Sequence, residues 1–216
     1  MILSVPLNDV IFFDSIPIPL PKARIYKRLG YKEGITQLPP DQQGEVEQYI
    51  EEGAALISLT GVALRLSVQK REVARIVFSN NVEFNSKHLC AWLERCKEAV
   101  FMGATAGQKV IDAIKKDTAE GSLTQGVIYD AVASEVTDAA LDWIMEYFNR
   151  ELRRENKQLD TKRYSAGYGD FSLENQKAIY EMLKLGKLGV NITDKYILVP
   201  EKSVTAVSGV QEIVSK

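Results

Sequence analysis

The sequence predicts an α+β fold: a single domain over residues 1–216 in which a twisted, mainly antiparallel sheet packs against a long central helix. Three observations lead there. Residues 62–84 hold three short runs rich in β-branched side chains, residues 123–156 carry apolar side chains at helical spacing, and residues 190–210 return to strand-forming runs split by turn residues. Strands, then helices, then strands, with short connections, fit this class better than alternating β-α units would.

Taken in order, the first 22 residues are punctuated by Pro6, Pro17, Pro19 and Pro21, which hold the backbone to β or polyproline angles and predict an extended N-terminal arm on the surface of the domain. Arg24 to Leu29 predicts a short helix ending at Gly30. Pro39-Pro40-Asp41 opens a helix to about Leu59, with Val46, Tyr49, Ile50, Ala54 and Ile57 on a face expected to pack on a sheet. Val62 to Val68 alternates on a two-residue period, Val73 to Phe78 is a dense apolar run, and Val82 to Phe84 follows the Asn80-Asn81 turn. A helix is expected from Ser86 to Lys97, then a strand from Ala99, a glycine turn and another helix.

That strand-glycine-helix unit does not bind nucleotide by either known pattern. Gly103 and Gly107 enclose three residues and precede Gln108-Lys109-Val110, where a phosphate-binding loop needs four residues and then Lys-Ser/Thr. Thr105 occupies the place of the second glycine of a dinucleotide fingerprint, so a structural turn is expected in preference to a nucleotide site. The longest helix runs from about Leu123 to Asn156, with Ile128, Val132, Val136, Ala139, Trp143 and Tyr147 on the expected core face. Glu135, Asp138, Asp142 and Glu146 form a second stripe, which by itself is a solvated face. Ser172 to Asn175 reads as a helix start leading to Ile179, Met182 and Leu183. Strands follow at 190–193, 196–200 and 203–210.

Composition narrows the function classes. Twenty-seven basic and 29 acidic residues give a formal net charge of −2, without the basic footprint of a nucleic-acid partner. The N-terminus has no basic region, and the apolar run from Val10 to Phe13 is too short for a signal segment or a span, so a cytoplasmic protein with no membrane partner is expected. Cys90 and Cys96 lack any Cys-x-x-Cys context and are expected to be buried, unbonded apolar groups. With His88 the sole histidine, zinc sites and Ser-His-Asp catalysis lack material, so no catalytic or metal-ligating residues are assigned.

The stretch with chemical content is Arg163-Tyr164-Ser165-Ala166-Gly167-Tyr168-Gly169-Asp170-Phe171, which has neither helical nor strand periodicity. Glycines at 167 and 169 allow positive φ or a close approach to the main chain, and Arg163 offers a planar fork for a carboxylate or phosphate. Read alone, it is either a tight turn sealing a core edge or a binding loop.

The order of these residues resembles the activation (reactivation) domain of cobalamin-dependent methionine synthase in its free-standing form. That family carries an Arg-x-Ser/Ala-Pro-Gly-Tyr loop, then Gly-Asp, an amphipathic helix and a Pro-x-Lys-Ser-Val strand. Here the helix holds Gln176 and the strand reads Pro200-Glu201-Lys202-Ser203-Val204. The likeness covers the C-terminal third with specific motifs and the middle third loosely. It implies that Arg163, Ser165, Gly167 and Tyr168 contact S-adenosylmethionine, with Asp138 in the place of a family glutamate that reaches the ligand's ribose or amino group. It further implies a cobalamin supplied by a partner chain, a methionine synthase or related corrinoid protein, because no Asp-x-His-x-x-Gly motif is present. A flavodoxin-type donor would supply the electron before the methyl group moves to cobalt. Three departures stand out: Ala166 replaces the loop proline, Asp138 is one methylene shorter than glutamate, and Ser208 replaces an aromatic residue. A docking module for another corrinoid protein, with little or no S-adenosylmethionine binding, is the alternative. A self-contained methyltransferase would need a glycine-rich loop after its first strand, which is absent.

Overall fold

The computed structural model describes residues 5–32 and 34–213, so residues 1–4 of the expected arm lie outside the described residues. Its centre is a 7-stranded sheet in the order β4-β3-β2-β5-β9-β6, with β1 also on β2. The strands are β1 (Val10–Phe13), β2 (Thr60–Arg71), β3 (Arg75–Phe78), β4 (Glu83–Asn85), β5 (Glu98–Thr105), β6 (Lys157–Leu159) and β9 (Ser203–Glu212). β7 (Asn191–Ile192) and β8 (Leu198–Val199) form a separate two-stranded sheet. All strand pairings are antiparallel, and the fold class is α+β.

Because successive side chains of a strand point to opposite faces, the central strands supply two cores. On one face, Leu64, Leu66, Phe101 and Val207 meet Leu89, Phe171, Ile179 and Leu183. These come from α3 (Lys87–Trp92), the 163–171 loop and α6 (Asn175–Leu183). On the other face, Ala63, Val100, Met102 and Ala206 pack under Leu141, Ile144 and Phe148 of α5 (Leu123–Leu152). At 30 residues, α5 extends about 45 Å and packs across β2, β5, β9 and β6.

The remaining helices pack on α5. α1 (Lys22–Arg28) and α2 (Pro40–Ala55) place Ile25, Val46 and Ile50 against Ile128, Val132 and Val136. The expectation that the 39–59 helix packs on a sheet is therefore corrected: the sheet face is already covered by α5, and α2 buries its apolar stripe on the outer flank of that helix. α4 (Gln108–Glu120) packs Val110 and Ile111 on Ala133. Gly107 caps α4 at φ +83°, a conformation that suits glycine at the turn from β5.

Other expectations shift in detail. The extended N-terminal segment is woven into the sheet, with Val10–Phe13 paired to β2 and Val5 and Ile16 buried. Along the C-terminal half of α5 the buried stripe is Ala140, Leu141, Ile144 and Phe148, while Trp143 and Tyr147 are half-buried. Phe13 of β1 covers those two rings edge-on, at centroid distances of 5.3 and 5.1 Å. α3 stops at Trp92, so Cys96 lies beyond the helix; both cysteines are buried and unbonded.

Arg65 falls where a half-buried strand would face water, yet it is 2% exposed beneath the end of α5. Its Nε donates to Glu98 at 2.7 Å, and Nη1 and Nη2 donate to the two Glu155 oxygens at 2.7 and 2.5 Å. Lys157 completes the cluster, 2.8 Å from Glu98 and 3.1 Å from Glu155.

Candidate functional site

The 163–171 loop leaves β6 along the edge of β9. Tyr164 and Val207 exchange main-chain hydrogen bonds of 2.9 and 2.8 Å, continuing the sheet by one bridge before the chain reverses. Gly167 N then donates to Phe171 O at 2.7 Å and Phe171 N to Tyr168 O at 3.0 Å. The reversal needs φ +93° at Gly167 and +56° at Gly169. A Cβ on Gly169 would stand 2.6 Å from His88 Nδ1 and 2.8 Å from the Tyr164 hydroxyl oxygen, so a side chain there is excluded by space as well as by angle.

The aromatic residues and Asp170 hold the reversal in place. Tyr164 stacks between Trp92 and Phe171, each pair at 6.0 Å between centroids with planes 19° apart, and its hydroxyl donates to Tyr168 O at 2.9 Å. Asp170 accepts from the Ser86 hydroxyl at 2.6 Å and from the Lys87 and His88 amides at 2.7 and 3.2 Å, which fastens the loop to the first turn of α3. Those donors, the Ser86 hydroxyl foremost, hold the Asp170 carboxyl below its ordinary range. His88 thus sits at a helix start, its Nδ1 accepting from Asp170 N at 3.3 Å.

The front of the loop borders a cavity of about 470 Å³. Arg163, Ser165, Tyr168 and Asp138 all line it, so four of the five candidate residues converge there; Gly167 shapes the reversal behind them and is not part of the lining. The rest of the lining comes from the Ser203–Ala206 stretch of β9, with Gln176 from α6 and Tyr196 and Ile197 from the β7-β8 turn. Ser165 Oγ donates to Thr205 O at 2.8 Å, and buried Gln176 donates to Thr205 Oγ1 at 2.9 Å. Tyr168 stands at the rim, 67% exposed.

The Lys202-Ser203-Val204 motif joins this wall to its neighbours. Lys202 Nζ lies 2.7 Å from Asp130 and donates to Ser134 Oγ at 2.9 Å, both on α5, while Ser203 Oγ donates to Thr105 Oγ1 at 2.8 Å. Ser208 is buried beneath the loop and within hydrogen-bonding reach of Asp160 O and Lys162 O, both at 3.2 Å.

Arg163 donates through Nη2 to Asp138 Oδ1 at 2.9 Å and through Nη1 to Asp142 Oδ1. The other oxygens of the same carboxylates are taken by Arg24 of α1, through Nη2 to Asp138 Oδ2 and through Nη1 to Asp142 Oδ2 at 2.8 Å. Two guanidinium groups and two carboxylates thus alternate in a closed ring at the cavity edge. Arg24 Nε reaches on to Glu135 at 2.9 Å, which also accepts from Arg28 Nε at 2.6 Å. Against a desolvation cost, the carboxylates of Asp142 and Glu135 hold Arg24 further in its charged form; likewise, despite burial, Arg28 and Arg24 hold Glu135 below its ordinary range.

Read by spacing alone this acidic stripe is a solvated face from which only the family resemblance singles out Asp138; that Asp142 and Arg24 join Arg163 is not foreseen in the sequence. The available signal was spacing: Arg24 and Arg28, four apart on a helix, present cations on the same repeat as Glu135, Asp138 and Asp142 present anions. No group of metal-ligating side chains is assembled among the described residues, and no helix there is long and apolar enough to cross a membrane.

No protein-family model and no curated protein matches the sequence. Among solved structures, a crystal structure of the MetH reactivation domain bound to AdoHcy aligns with a TM-score of 0.68 at 13% identity, covering 100% of this chain and 82% of that one. At that identity the likeness is one of fold: a curled antiparallel sheet crossed by a long helix, as in the reactivation domain.

Proposed function

We propose that the chain is an S-adenosylmethionine-binding accessory module that supports reductive methylation of a cobalamin carried by a separate methionine synthase. The observation that carries this reading is convergence: Arg163, Ser165 and Tyr168 from one loop and Asp138 from α5, far apart in sequence, border one cavity in a chain with the reactivation-domain fold. At about 470 Å³ the cavity falls in the range of small-molecule sites, and its lining mixes apolar walls with a few directed polar groups.

The residues fit such a ligand in kind. An α-carboxylate suits the guanidinium of Arg163, whose Nε has no acceptor among the described residues, and an α-ammonium or ribose hydroxyl suits Asp138. The main chain at 165–168 and the exposed Tyr168 ring offer hydrogen bonds and a stacking face for the adenine. The bound S-adenosylmethionine would supply the methyl group. This chain's part is to hold and orient the donor at an open rim where a corrinoid protein, cytoplasmic like its flavodoxin-type reductant, can meet it.

Arg163 decides the test. Arg163→Ala should weaken AdoHcy binding about ten- to a hundredfold, and Arg163→Lys by less, because lysine keeps the charge and loses the fork. Titration calorimetry of the three proteins reads this directly; no heat from wild type at millimolar AdoHcy would refute the reading.

One observation favours a second function. Asp138 and Asp142 already hold the Arg163 fork, so the site is internally neutralised without a ligand. On that reading the module docks to a corrinoid protein without binding the nucleoside, and capture of the cobalamin protein would be indifferent to Arg163→Ala.

A further inference from the structure

The ring of Arg24, Asp138, Arg163 and Asp142 spans two elements that the binding loop does not include. Of the four, only Asp138 and Arg163 line the cavity; Arg24 joins the ring from α1, and Asp142 lies one turn further along α5. Counting formal charges in contact, Arg24, Arg28 and Arg163 balance Glu135, Asp138 and Asp142. Without Arg24, Asp138 and Asp142 would face Arg163 alone, leaving one negative charge of the ring uncompensated.

We propose that Arg24 determines charge selectivity at the nucleoside site, by balancing Asp138 and Asp142 so that the cavity edge accepts a zwitterionic amino-acid head group and gains nothing from a purely cationic one. The inference rests on the binding function proposed above. A zwitterion can enter by exchange: its carboxylate takes a free edge of Arg163, its ammonium takes Asp138, and Arg24 with Asp142 remains a pair. Every charge then keeps a partner, which matters most at Arg163, the least exposed member of a ring that water otherwise screens in part. A head group with an ammonium and no carboxylate takes Asp138 from Arg163 and returns nothing to the guanidinium. Arg24 is thus a positioning and counter-charge residue, acting through the aspartates.

The consequences have opposite signs for the two halves of the outer pair, which separates charge from mere bracing of α1. Arg24→Gln leaves a surplus negative charge and should favour a cationic ligand. Asp142→Asn leaves a surplus positive charge and should favour a carboxylate. The double variant R24Q/D142N restores balance.

The experiment is calorimetric titration of full-length wild type, R24Q, D142N and the double variant with AdoHcy and with decarboxylated AdoHcy, circular dichroism reporting the fold of each. The ratio of affinities, AdoHcy over its decarboxylated form, should fall on the order of tenfold in R24Q, rise in D142N and return toward wild type in the double variant. A ratio unmoved in R24Q, or moved in the same direction by both single changes, overturns the proposal. Should R24Q fail to fold, an unmoved or lowered ratio in D142N does so alone. Wild type binding neither compound defeats the nucleoside site itself and this inference with it, whereas binding with an invariant ratio defeats the inference only.

Discussion

The carboxylate of Glu155 is brought from an ordinary value of 4.5 down to about 2, chiefly by the Arg65 guanidinium that it grips through both oxygens and then, against some desolvation, by Lys157. A group whose folded pKa is depressed stabilises the fold above its unfolded pKa and loses that contribution as pH falls through its folded pKa. Here the loss is expected between about pH 4.5 and pH 2. Urea midpoints measured across that window should therefore drop steeply in wild type and more gently in Glu155→Gln. At pH 7 the same substitution should cost about 1.5–3 kcal/mol, since it removes charge-assisted hydrogen bonds from a guanidinium that is only 2% exposed. A variant whose acid profile matches wild type would show that the cluster does not govern acid stability.

At the scale of elements, the contact of α2 with α5 is where tertiary packing overrides the simplest placement of an amphipathic helix. Ile50 is fully buried between the two helices, and Ile50→Ala should lower stability by about 2–5 kcal/mol in urea unfolding, with the slope little changed. A loss below about 1 kcal/mol would mean that α2 is loosely docked. The strands with alternating or dense apolar runs, β2, β3, β4, β5 and β9, were legible because periodicity alone specifies them. α5 was legible for the same reason, though Phe13 covers a flank that no local pattern announces. β6 was not legible: three residues following a helix carry no pattern of their own, and pairing with β9 makes them a strand. In the site, Arg163, Ser165 and Tyr168 stood out by motif, whereas Arg24 is defined by what it meets across more than a hundred residues of sequence. Arg65 was hidden by the converse effect, a polar residue in an alternating strand whose second face is also buried.

For the molecule as a whole, one sheet shared by two cores implies that neither core outlasts the other. The chain has two tryptophans, one on each side: Trp92 against the 163–171 loop and Trp143 of α5 against β1. Fluorescence of Trp92→Phe should report Trp143, and that of Trp143→Phe should report Trp92. Corrected for each variant's stability by circular dichroism, the two urea transitions should coincide if residues 1–216 act as one cooperative unit. Separate transitions would divide the chain into two.

The position of β9 bears on when a working site can exist. Its residues Ser203–Glu212 pair with β5 on one side and β6 on the other, matching Glu98 with Val210 and Thr105 with Ser203. The strand that walls the cavity is synthesised well after β5, and it must close over β5 across a loop of roughly a hundred residues, an entropic cost that grows with the logarithm of length. A nascent chain emerged only as far as Pro200 holds the Arg163 loop without the strand it hangs on and leaves the edge of β5 unpaired. The cavity therefore takes shape only with pairing of β9, and refolding belongs with the slower topologies, on the order of milliseconds to seconds.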